Sequence, residues 1–316
     1  MASQGAFCRG ISYFYKRIKP AKREPMRGAF KEVVNEVFSE KSNLFLMLGD
    51  IGVFGFNQLI SKHPERAINI GILEQTMSGM IAGLSKGGFT PIVHSIAPFL
   101  VERCYEQIKL AVGYHNSSCR LISIGASYDY INLGPTHHCP ADIAILSAIP
   151  NLEIIIPASP NDFRTLFLST LDRDAPIYFR LTDNYSDINY EVEYGKCRLI
   201  RKESSRENLV LSVGPMVDSA EKMARSLGFT HVNCTSLSPF DSKAIAAHLD
   251  DGGEVHVIEP YYEGSSYLSI ASTLNNYKLR FYGFNKTFNN TCGDWTSLME
   301  DHRLTPDLLK ARYYET

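Results

Sequence analysis

The chain has 316 residues, 44% of them apolar and 21% charged, with a formal net charge of −2. That length accommodates two ordinary domains, each with its own core. The near-balanced charge offers no electrostatic basis for binding nucleic acid or an anionic membrane, and no apolar run approaches the roughly 20 residues needed to span a bilayer. The seven cysteines are scattered, odd in number and never spaced as C-x-x-C. This argues against a disulfide framework or a zinc site and favours a reducing, cytoplasmic setting.

Residues 1–25 carry six Arg and Lys side chains against the single acid Glu24. They read as a basic N-terminal extension: an arm on a partner subunit, an unstructured tail or a transit peptide. From residue 26 the pattern becomes α/β. Phe30, Val33, Val34 and Val37 fall at helical spacing, and Leu44–Leu48 reads as a buried strand. Strands follow at 67–70, 90–94, 119–124, 152–156 and 176–180, alternating with helices at 75–86, 98–112, 141–148 and 160–171. A Gly/Asn/Pro-rich loop occupies 125–140. Polar residues 183–206 read as a linker, after which strands at 208–213, 230–234, 254–259 and 278–282 alternate with helices at 216–227, 241–249 and 265–274. Thr305-Pro306-Asp307 signals the start of a closing helix. The alternation predicts two three-layer α/β domains with mainly parallel sheets, spanning 26–182 and 207–316.

Within this pattern, Asn69-Ile70-Gly71-Ile72-Leu73-Glu74-Gln75 runs from a strand end through glycine into a helix. A carboxyl at that point, among apolar neighbours, can exchange a proton with a ring nitrogen; it also simply complements a helix macrodipole. Three further segments follow in order: Phe99 to Gln107 (FLVERCYEQ), Gly134 to His138 (GPTHH) and Ile154 to Asp162 (IIIPASPND). The series N-x-G-I-x-E-Q, F-x(3)-R-x-Y-x-Q, G-P-T-H and P-A-S-x-x-D resembles the pyrimidine-binding half of transketolases and of 1-deoxyxylulose-5-phosphate synthases. The resemblance covers roughly residues 26–316, and the second unit resembles the transketolase C-terminal domain.

The resemblance implies thiamine diphosphate as cofactor. Glu74 falls at the position of the glutamate that bonds the pyrimidine N1′. Phe99 and Ile96 match the two positions that flank the pyrimidine ring, and Asp50 and Ile51 match a strand-end pair near the cofactor. His137 matches a histidine facing the substrate oxygen. His138 stands where relatives carry a polar residue, and Arg27 and Arg180 match phosphate-facing arginines. His94 lies at a strand end beside these segments. Leu133 replaces an aspartate that reads a substrate hydroxyl in relatives, and a phosphate-binding histidine maps near Gly125. Ordinary ketose phosphates therefore fit poorly.

Transketolases bind Mg²⁺ and the diphosphate through a G-D-G…N segment, which these 316 residues lack. The expected partner is a companion subunit carrying that half, in a heterotetramer with two copies of each chain. The resemblance implies transfer of a two-carbon ketol or acyl unit to a sugar-type acceptor. An E1β-like 2-oxoacid decarboxylase subunit and a noncatalytic scaffold are the alternatives.

Overall fold

The computed structural model describes residues 26–188, 190–289 and 293–315, so the extension assigned to residues 1–25 lies outside the described residues. Twelve strands are described: β1 (Leu44–Leu48), β2 (Ala67–Asn69), β3 (Thr90–Ile96), β4 (Cys119–Ile124), β5 (Glu153–Ile155), β6 (Pro176–Arg180), β7 (Cys197–Arg201), β8 (Asn208–Val213), β9 (Thr230–Cys234), β10 (Ser236–Ser238), β11 (Glu254–Tyr262) and β12 (Lys278–Phe284). They form a seven-stranded sheet in the order β10-β5-β6-β4-β3-β1-β2 and a five-stranded sheet in the order β12-β11-β8-β9-β7. Every described pairing is parallel except β10 with β5 and β7 with β9.

Alternation along the strands assigns each residue of the first sheet to one of two cores. On one face Phe45, Met47, Val93 and Leu121 pack with Met77 and Ile81 of the helix Glu74–Lys86. On the other, Leu46, Leu48, Ile92, Ile96 and Ile122 pack with Phe30, Val33 and Val34 of the helix Met26–Val37. Neighbours on a strand therefore face opposite ways: Ser95 toward the first helix, His94 toward the second.

The first core continues without a break through Ile154 and Ile156 into Leu211, Val232 and Val257 of the second sheet. Two features of the intervening polar stretch and turn differ from expectation. Residues 197–201 are a strand, antiparallel to β9, and Ser236–Ser238 leaves the second half to extend the first sheet beside β5. The closing helix Pro306–Tyr314 has Thr305 at its N-cap, but the hydroxyl makes no capping bond. Among the described residues no helix is long and apolar enough to cross a membrane.

Candidate active site

The C-terminal ends of β1 to β4 and the loops that follow gather most of the predicted side chains. Asn69 shapes the first loops: its Oδ1 accepts from the backbone N–H groups of Asp50 (3.0 Å) and Gly71 (3.2 Å), and its Nδ2 donates to Asp50 Oδ1 at 3.0 Å. Gly71 then turns the chain at φ +82°, a conformation open to glycine. The next helix begins at Glu74. Asp50 itself, at φ +60°, is exposed, and Ile51 is half-buried against the core around Phe30.

Glu74 is 2% exposed. It is not isolated among apolar groups: Ser95 Oγ donates to Oε1 at 3.1 Å, and Arg103 Nη1 donates to Oε2 at 2.9 Å. The Arg103 guanidinium also lies over the Phe99 ring, 4.3 Å from its centroid. Both residues belong to the helical stretch Pro98–Tyr114, whose ends, Pro98–Glu102 and Ile108–Tyr114, are π-helical. The Arg103 N–H accordingly donates to the Pro98 carbonyl, five residues back. Such wide turns recur at functional sites, and this one sets Arg103 over Phe99.

Phe99 joins Glu74 to the histidine loop, its ring centroid lying 5.2 Å from that of His137. His137 is half-buried, lies near Tyr130, and its Nδ1 is 3.0 Å from Thr136 Oγ1. Gly134, at φ +79°, starts this turn, and its carbonyl accepts from the His137 N–H. A bridge between Ser127 and Cys139 closes the loop.

On the opposite sheet face, His94 is fully buried against Phe30. Its Nδ1 donates to the Ile122 carbonyl at 2.9 Å, leaving Nε2 as a buried acceptor without a partner. Burial, with Arg27 and Lys31 nearby, lowers its pKa to about 4, so the ring is neutral. Arg27 is exposed and within electrostatic reach of His94, Lys31, Tyr130 and Asp183. Lys31 and Tyr130, absent from the sequence-based set, both lie within electrostatic reach of Arg27.

Three expected residues are placed differently. Arg180 is 1% exposed; its Nε bonds Asp142 Oδ2 at 2.7 Å, and its Nη2 donates to Ser127 Oγ at 2.6 Å and to the Pro260 carbonyl at 3.3 Å. The guanidinium therefore ties the two halves of the chain together rather than presenting itself to a phosphate. His138 is buried, with Nε2 donating to the Ile131 carbonyl at 3.2 Å and its ring against Tyr128. It braces the loop. Ile96 is 8% exposed and packs into the core around Phe30, which Phe99 borders from a partly buried position. The Cys139 thiol, adjacent to these histidines, is fully buried, and that burial raises its pKa well above the usual range; it is no nucleophile.

The motif ending at Asp162 is a helix cap. Ser159 Oγ accepts from the Asp162 N–H, and Asp162 Oδ2 accepts from the Ala158 N–H. Among the described residues no three His, Cys, Asp or Glu side chains gather as metal ligands.

A carboxyl, an aromatic ring and a histidine thus gather at the C-terminal edge of a mainly parallel sheet in a two-sheet α/β protein, the edge at which such folds take their ligands. Residues 23–185, just over half of the chain, match the transketolase pyrimidine-binding domain. The chain belongs to the transketolase family.

It is 32% identical over 248 residues to an uncharacterized 33.6 kDa protein in the fasciation locus of Rhodococcoides fascians, covering 78% of this chain and 79% of that one. It is 31% identical over 210 residues to one subunit of the apulose-4-phosphate transketolase of Actinobacillus succinogenes, covering 64% and 67% respectively. The fold is shared with a solved split gene transketolase, described as an inactive beta4 tetramer. The TM-score is 0.77, with 21% identity and coverage of 92% of this chain and 97% of that one.

Proposed function

We propose that this chain is the pyrimidine-binding subunit of a two-chain, thiamine-diphosphate-dependent transketolase that passes a two-carbon ketol unit to an aldehyde or ketone acceptor of sugar type. The observation that carries this reading is the buried Glu74 carboxylate at a helix start, linked through Arg103 and Phe99 to His137. The residues fit the cofactor's pyrimidine: a planar cation with N–H donors already lies between Phe99 and Glu74 in the form of Arg103. When bound, thiamine diphosphate supplies a thiazolium carbon acid whose conjugate base adds to a carbonyl.

Glu74 then holds a proton at the pyrimidine N1′, with Ser95 fixing its Oε1. Phe99 provides the stacking surface. His137 donates toward the oxygen of the reacting carbonyl as negative charge develops there. Arg27 and Lys31, within electrostatic reach of the buried His94, receive the anionic end of the substrate.

The Mg²⁺ ligands and the diphosphate cradle belong to a companion subunit, in an assembly of two copies of each chain. Two observations support this. The A. succinogenes relative is named as a subunit of its transketolase, and Ile72 and Leu73, immediately before Glu74, are 68% and 53% exposed. Exposed apolar side chains beside a catalytic carboxylate mark a surface that another chain covers.

The test is to purify the chain with a G-D-G-bearing companion and assay the complex with thiamine diphosphate, Mg²⁺ and either ketose phosphates or pyruvate as donor. The expected result is ketol transfer that falls by about 10²–10⁴-fold in Glu74→Gln while the melting temperature holds. Full activity in that variant would refute the assignment, and turnover of pyruvate alone would identify a 2-oxoacid decarboxylase.

A further inference from the structure

Arg103 is assigned no step in the chemistry just described, yet it makes the two contacts required of the cofactor's ring. Its guanidinium lies 4.3 Å from the Phe99 centroid, and Nη1 bonds Glu74 Oε2 at 2.9 Å. A guanidinium is flat, delocalised and weakly hydrated, so it stacks on an aromatic face and bonds a carboxylate at once, as an aminopyrimidine does. The side chain of Glu74 is 1% exposed, whereas that of Arg103 is 41% exposed. The cation therefore has an open route outward, and the carboxylate does not.

We propose that Arg103 is a placeholder: in the cofactor-free chain its guanidinium fills the slot between Phe99 and Glu74 that the pyrimidine ring takes, and it swings into solvent when the ring enters. This rests on the thiamine diphosphate reading above. The slot needs an occupant because a buried carboxylate without a charged or hydrogen-bonding partner is costly. Ser95 satisfies only Oε1. The empty subunit is thus stabilised by the group its cofactor displaces, and the cofactor's affinity is reduced by the strength of the contact it breaks. The π-helical turn before Arg103 holds the backbone in place for this exchange, and the Gln75 side chain, donating to the Arg103 carbonyl at 3.3 Å, pins it to the Glu74 helix. Only the side chain has to move.

The experiment titrates thiamine diphosphate calorimetrically, in the presence of Mg²⁺, into the complex of this chain with its companion. Melting temperatures are recorded with and without cofactor, for wild type, Arg103→Met and Arg103→Lys. Arg103→Met should melt lower than wild type without cofactor, bind thiamine diphosphate about three- to tenfold more tightly, and gain more in melting temperature on binding. Arg103→Lys keeps the charge but loses the flat stack, and should fall between the two. If Arg103→Met does not assemble, the sign of the affinity change in Arg103→Lys decides. Weaker or unchanged binding in both variants would overturn the placeholder and leave the cofactor assignment standing. A wild-type complex that binds no thiamine diphosphate would instead refute the functional reading itself.

Discussion

Two histidines are carried neutral inside the sheets. His94 donates to the Ile122 carbonyl, His256 lies between Tyr282 and Asn208, and burial depresses both pKa values to about 4. The unfolded chain protonates them near pH 6.5, so between about pH 6.5 and 4 it binds protons that the folded chain does not. Each histidine therefore stabilises the fold fully above about pH 6.5, and that contribution is lost as the pH falls toward 4. Glu259, buried and accepting from Gly264 and Ser266, has the opposite sign: its pKa is pushed up to about 8, and its contribution is lost as the pH rises. The informative quantity is thus the difference between wild type and His94→Gln in urea unfolding. That gap should shrink by on the order of 2–3 kcal/mol from pH 7 to pH 4. A gap that does not change with pH would mean that His94 titrates in the fold as it does in the unfolded chain.

At the scale of elements, the loop after β4 depends on Gly125 and Tyr130. Gly125 sits at φ +76°, and a Cβ there would overlap the Tyr130 ring. Where the resemblance places a phosphate-binding histidine, this chain thus has a tyrosine filling the space. Gly125→Ala should cost about 1–3 kcal/mol and loosen the turn that carries His137, measurable as faster amide exchange across residues 126–138. Arg180 and Asp142 act at the same scale. Removing one partner, as in Asp142→Ala, strands a buried guanidinium and should destabilise the chain by about 3–5 kcal/mol, read from the denaturation midpoint. An unchanged midpoint would mean that the pair is not buried.

Arg180 also shows how far the sequence alone could be read. Strands such as Leu44–Leu48 were legible because buried parallel strands are continuous apolar runs. That Glu74, Phe99 and His137 come together at one end of the sheet was legible because short motifs fix their loops. Nothing local announces that the partner of Arg180 is Asp142, 38 positions away, or that His138 turns inward while His137 does not. β7, with the half-exposed sequence Cys-Arg-Leu-Ile-Arg, and β10, with Ser-Leu-Ser, carry too little apolar pattern to stand out from a polar segment. Arg103 lay in plain view inside a motif, but its role appears only once its height above Phe99 is known.

For the molecule as a whole, the expectation is dependence on another chain. By itself this protein should show no ketol transfer at any concentration, and activity should appear on titration with the companion, saturating at equal numbers of the two chains. Light scattering on the active fraction should give the mass of two copies of each. Activity of the lone chain would contradict the shared-site arrangement. The inward crossing of Ser236–Ser238 has a consequence of another kind. The sheet that bears Glu74 is finished at one margin by residues encoded far downstream, against Ile154 and Ile155. A fragment stopping near residue 185 would leave that margin bare, a ready template for intermolecular pairing. The two halves are therefore interdependent: exchanging one for a foreign counterpart should tear the hem of the other.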